Sequence, residues 1–196
     1  MHLPEIEVPH HEANKASTSR RRSIVDRIVS GSAMFVALSS LAIALYEVRM
    51  MREHDRISVW PYVSVGNSDA DGVYSYNVRN AGLGPALIRS FELVVDGKPR
   101  KNWGEAIETF SIDMQGAPSS YSHIGKGVVI LPGANLRVLE IGGAAGQAFH
   151  RAAQTRMHTR ICYCSLYEQC WIDDISESTE PQPVNSCADP ATPFTQ

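Results

Sequence analysis

The chain has 196 residues, a net charge of −3, 43% hydrophobic residues and four cysteines. Residues 57–196 carry ten Lys and Arg against fourteen Asp and Glu, a net of −4. A mildly acidic surface does not track a phosphate backbone, which argues against a nucleic-acid partner.

Residues 1–22 contain two prolines, mixed charge and no apolar period, and are expected to form a disordered cytoplasmic tail. His10-His11 is too short for a metal tract. The run from Ile28 to Tyr46, IVSGSAMFVALSSLAIALY, follows with 19 residues and no Asp, Glu, Lys or Arg. At 1.5 Å per residue, a helix of that length just crosses a hydrocarbon core of about 30 Å. A cleaved signal peptide fits less well, although Ala42-Ile43-Ala44 is a passable cleavage triplet. The run is longer than a signal core, and its basic flank would be unusually long. Residues 23–56 therefore read as a membrane span with a water-facing extension, EVRMMREHDRIS, whose charges alternate in sign.

Lys15, Arg20, Arg21, Arg22 and Arg27 precede the span, and Arg49, Arg52 and Arg56 follow it. The positive-inside bias then puts the amino terminus in the cytoplasm and the rest of the chain in the periplasm of an inner-membrane protein. The arginine triplet suits anionic lipid more than nucleic acid. Ala33, Ala37, Ser40 and Ala44 recur at spacings of four, three and four. That puts small residues on one helix face, where two spans can approach closely and form a homodimer.

From Ile57 the apolar period becomes two. ISVWPYVSVG reads as a strand that Pro61 confines to an edge or a bulge. In VYSYNVRN (73–80), Tyr74, Tyr76 and Val78 alternate with Val73, Ser75 and Asn77, as in a half-buried strand. AGLGPA (81–86) is turn chemistry, and ALIRSFELVVDGK (86–98) is a long strand ending in an Asp-Gly turn. NWGEAIETFSIDM holds a short helix, SSYSHIGKGVVILPG short strands, LRVLEIGG a strand, and AAGQAFHRAAQ a second short helix. RMHTRICYCSL and CWIDDIS form a hairpin around Tyr167-Glu168-Gln169. Residues 57–178 thus make one antiparallel β-sandwich of about seven strands with short helical insertions. Residues 179–196, with four prolines and no packing pattern, are expected to be a second disordered tail that Cys187 staples to the hairpin.

Catalytic signatures are missing. Ser119, Ser120, Ser122 and His123 lack a nucleophile elbow. Asp173, Asp174 and Glu177 lack the spacing of a calcium loop. The Gly82–Gly84 and Gly125–Gly127 pairs do not open a helix, so no phosphate cradle follows. No enzyme activity and no cofactor are expected.

The cysteines Cys162, Cys164, Cys170 and Cys187 are the one constellation with chemistry. Their C-x-C-x5-C-x16-C spacing is not the paired spacing of a zinc site, although His158 could be recruited as a ligand, nor that of a C-x-x-C redox site. An even count suits disulfides in an oxidising compartment. A turn centred on Tyr167 puts Cys164 opposite Cys170, leaving Cys162 for Cys187, with Cys170–Cys187 as the rival pairing.

NVRNAGLGPALIRSFELVVDGK (77–98) resembles the bacterial immunoglobulin-like β-sandwich modules of the adhesion and CARDB type. Those modules have a strand, an Asn-x-Gly-x-Gly-Pro-Ala turn, and a long strand ending in Asp-Gly. ILPGANLRVLEI (130–141) is similar to their later segment. ICYCSLYEQCWI is similar to a pattern in single-span bacterial envelope proteins of unknown role. The resemblance implies a scaffold or protein-binding module facing an envelope protein. The alternative is an envelope protein whose cysteine hairpin binds metal or exchanges thiols.

Overall fold

From Ala13 to Ser58 the backbone is one helix, α1. The structure, a computed structural model, describes residues 13–195, with side chains from residue 24 onward. The expected tail is thus corrected in part: residues 13–22 are helical, and residues 1–12 lie outside the described residues. The most apolar 18-residue window of Ile24–Ser58 has a mean hydropathy of 2.1, enough to cross a membrane, and none of it is buried by protein. Two of its serines are satisfied locally: Ser32 Oγ donates to the carbonyl of Val29 and Ser40 Oγ to that of Val36, which lowers the cost of a hydroxyl in hydrocarbon. The chain divides after Glu53 into two units, and the second holds all the strands.

That second unit begins with a correction. Ile57 and Ser58 end the helix, so the first strand, β1, is Val63–Ala70. Val59 and Trp60 are held in the connection by the 80–84 turn. A Cβ on Gly84 would lie 1.9 Å from the Val59 carbonyl oxygen, and one on Gly82 would lie 2.3 Å from the Tyr62 nitrogen. The two glycines are there because backbone meets backbone.

β1 pairs antiparallel with β2 (Val73–Asn80) through a tight Asp71-Gly72 turn, both residues at positive φ. β3 (Ala86–Val95) turns through Asp96-Gly97, again at positive φ, into β4 (Lys98–Arg100). The short helix α2 (Trp103–Thr109) starts where Asn102 accepts a hydrogen bond from the Glu105 amide. Then come β5 (Ser119–Tyr121), β6 (Val129–Ile130), β7 (Asn135–Gly142), α3 (Gly143–Arg156), β8 (Met157–Cys164), β9 (Cys170–Asp174) and β10 (Gln182–Val184). One sheet has the order β1-β2-β7-β5; the other runs β10-β9-β8-β3-β4, with β6 also on β3.

Inward residues of both sheets enter one core: Tyr74, Tyr76 and Val78 from β2, Phe91 and Leu93 from β3, and Ile161 and Tyr163 from β8. Two tyrosine hydroxyls take part in hydrogen bonds between the sheets. Tyr76 and Thr159 share one between their hydroxyls, and the Val63 amide donates to the Tyr163 hydroxyl. Burial pushes both tyrosine hydroxyls well above the ordinary range, so both stay protonated.

The carboxyl-terminal segment departs from the expected tail. Gln182–Val184 pairs with β9, and Phe194 is buried against Phe91 and Trp103 at centroid distances of 4.8 and 5.7 Å. The Thr195 amide donates to the Lys101 carbonyl. A single aromatic anchor, a three-residue strand and a disulfide hold the segment, and none of these has a period that a sequence pattern reveals.

Candidate functional site

β8 alternates strictly, and that alternation builds the site. Thr159, Ile161 and Tyr163 point to the core, so Cys162 and Cys164 lie on the opposite face of the sheet. Both are nonetheless only 3% exposed, because the carboxyl-terminal segment crosses this face. Cys162 is bonded to Cys187 of that segment, with Cα atoms 5.7 Å apart. Cys164 is bonded to Cys170, its direct partner in the β8–β9 register. The hairpin turn between them is fixed by Ser165. Its amide donates to the Gln169 carbonyl, and its hydroxyl accepts from the amides of Tyr167 and Gln169.

The two disulfides touch. Cys164 Sγ and Cys187 Sγ are 3.8 Å apart, a van der Waals contact between bonded sulfurs. Beside them opens a cavity of about 340 Å³, lined by Cys164, Cys170 and Cys187 with the charged residues Arg89, Lys126, Glu168 and Asp189. Lys126 Nζ pairs with Asp189 at 2.8 Å, which ties the strap to the Gly125–Gly127 turn. The pair is well exposed and contributes little stability, so the disulfide and Phe194 hold the strap. The sulfurs of Cys164, Cys170 and Cys187 lie within 4.8 Å of one another, a spacing a soft metal accepts. As disulfide atoms they offer no thiolate, which such a metal needs.

The other residues singled out by sequence are dispersed. Asp174 Oδ1 accepts from the amide and hydroxyl of Ser176, while Arg160 reaches Asp174 at 3.4 Å and Glu177 at 3.8 Å. Asp173 turns inward on β9; burial first, then the nearby Asp174 carboxylate, pushes its carboxyl up to about 6. Ser120 on β5 donates to Glu140. The Gly125–Gly127 turn hydrogen-bonds to Ile88, and Gly82 and Gly84 clasp the connection after α1. Ala33, Ala37, Ser40 and Ala44 all lie exposed on α1.

One residue with a large structural role was legible only as part of a turn motif. Asn80 is fully buried at the end of β2. Its Nδ2 donates to the carbonyls of Gly84 (2.8 Å) and Ile130 (2.9 Å). Its Oδ1 accepts from the amides of Tyr62 (3.1 Å) and Gly82 (3.0 Å). One side chain thereby joins the connection after α1, the 80–84 turn and the segment before β7.

No family model, curated protein or solved structure matches the chain.

Proposed function

We propose that this chain is a single-pass inner-membrane protein that presents a periplasmic immunoglobulin-like sandwich as a scaffold or binding module for another envelope protein. Strand order carries the reading. The order β1-β2-β7-β5 is that of strands A-B-E-D in a constant-type immunoglobulin domain, and β9-β8-β3 is that of G-F-C, with β4 added beside β3. Two helices, α2 between β4 and β5 and α3 between β7 and β8, are then insertions on this plan. The cysteines depart from it, because both disulfides lie on the outer side of one sheet instead of joining the two.

The apolar helix supports an anchor, and two disulfides favour an oxidising compartment. Five cationic residues before the span against three after it support a periplasmic domain. The small-residue face of Ala33, Ala37, Ser40 and Ala44 gives the span a means of self-association.

Maleimide labelling in intact cells, spheroplasts and lysate, each with and without reductant, tests the topology. Cysteines that label in spheroplasts, and only after reduction, agree with the proposal. Labelling without reductant and only after lysis puts the domain in the cytoplasm and overturns it. Crosslinking from the domain surface in the membrane then tests for an envelope partner.

A further inference from the structure

The geometry points to a second activity: the four-cysteine cluster is a thiol–disulfide exchange site, in which Cys164 and Cys187 pass oxidation between the hairpin disulfide and the strap disulfide. Two observations converge on it. The two bridges are in contact through Cys164 and Cys187, 3.8 Å apart. A cavity of about 340 Å³ opens on Cys164, Cys170 and Cys187 and not on Cys162. Arg89 and Lys126 line that cavity beside Glu168 and Asp189, and Lys126 is paired with Asp189, so the cavity is polar but balanced in charge.

The partner is an external dithiol. Its thiolate attacks Cys170 Sγ, the more exposed end of the hairpin bridge at 8% against 3% for Cys164. The Cys164–Cys170 bond breaks, and its electron pair leaves on Cys164. The Cys164 thiolate attacks Cys187 Sγ, the Cys162–Cys187 bond breaks, and the pair leaves on Cys162, which takes a proton. The second thiolate of the partner then attacks its own sulfur in the mixed disulfide and expels Cys170, which is protonated in turn. In sum the dithiol becomes a disulfide, losing two electrons and two protons, and the protein gains thiols at Cys162 and Cys170.

The new Cys164–Cys187 bridge closes a span of 23 residues where Cys162–Cys187 closes 25. Loop-closure entropy barely separates spans so close in length, so neither bridge is favoured on that ground. The strap stays tethered throughout, because Cys187 exchanges one partner on β8 for the next cysteine on the same face.

The test is disulfide mapping of the full chain in detergent micelles. Limiting dithiothreitol is quenched with acid and N-ethylmaleimide, and chymotryptic cleavage after Tyr163 separates Cys162 from Cys164. The expected two-thiol species carries label on Cys170, a second label divided between Cys164 and Cys162, and a Cys164–Cys187 crosslink. Label on Cys164 and Cys170 alone, with Cys162–Cys187 intact, overturns the relay. So does label on Cys162 and Cys187 with the hairpin bridge intact. The variant Cys170→Ser removes the need for reductant: Cys187 should be found bonded to Cys162 and to Cys164 in amounts within about tenfold of each other. Bonding to Cys162 alone refutes the exchange.

Discussion

Replacing Asn80 tests the account of how the chain after α1 is locked to the domain. The side chain is fully buried and makes four hydrogen bonds between 2.8 and 3.1 Å. In Asn80→Ala, the amides of Tyr62 and Gly82 and the carbonyls of Gly84 and Ile130 lose their partner together. At about 1 kcal/mol net per bond, the loss is about 4 kcal/mol, a large share of a domain's stability. That corresponds to a melting temperature lower by roughly 12 °C. Asn80→Asp sharpens the argument. It keeps the acceptor for the two amides but turns a carboxylate toward two carbonyl oxygens. It should therefore cost at least as much as the alanine variant at pH 8 and recover at pH 5, where a proton restores one donor. Urea unfolding of the full chain in micelles, followed by tryptophan fluorescence, measures both variants. Leu83→Ala in the same turn is the control: the side chain is 68% exposed and its loss should be silent. A cost below about 1 kcal/mol for both Asn80 variants would falsify the claim that this side chain holds the three segments together.

Other outcomes follow from the same geometry. Phe194→Ala opens a cavity against Phe91 and Trp103 and should cost about 3 kcal/mol, with faster proteolysis near residue 190 as the local readout. Gly84→Ala drives a Cβ to 1.9 Å from the Val59 carbonyl oxygen and should cost about 3 kcal/mol in the same unfolding assay. Asp173 has a folded-state pKa of about 6, above its unfolded value, so the folded state binds the proton more tightly and this residue's contribution improves as pH falls from 7 to 4. Asp173→Asn should therefore stabilise the protein by about 2 kcal/mol at pH 8 and by almost nothing at pH 4, while keeping an acceptor for the Val65 amide. An equal effect at both pH values refutes the burial argument.

Local rules made much of this protein legible. The uncharged run from Ile28 to Tyr46 lies within α1, and the alternation of Tyr74, Tyr76 and Val78 matches their burial in β2. The hairpin turn sets Cys164 against Cys170. What escaped was set by distant partners. Ile57 continues a period-two pattern yet lies in the last turn of a helix, and the chain after it packs backbone to backbone on the distant turn at Gly82 and Gly84. The segment after Ser178 has four prolines and no repeat, and its aromatic anchor has meaning only where Phe91 and Trp103 leave room for it. Asn80 announced a turn, but its bond to Ile130 spans 50 residues. Asp173 looked like part of an acidic strand end until β1 brought the Val65 amide to it.

The borders of the larger sheet have a consequence for crowding. Beyond β9 lies β10, three residues with Pro183 at its centre; beyond β3 lie β4, three residues with Pro99 at its centre, and the two-residue β6. Proline brings no N–H, so neither border offers a newcomer an unbroken row of donors. β1, by contrast, runs eight residues without proline along the border of the other sheet. Edge-to-edge pairing between copies is hindered along the larger sheet, and any strand that joins this domain edge to edge has β1 as its longest open template.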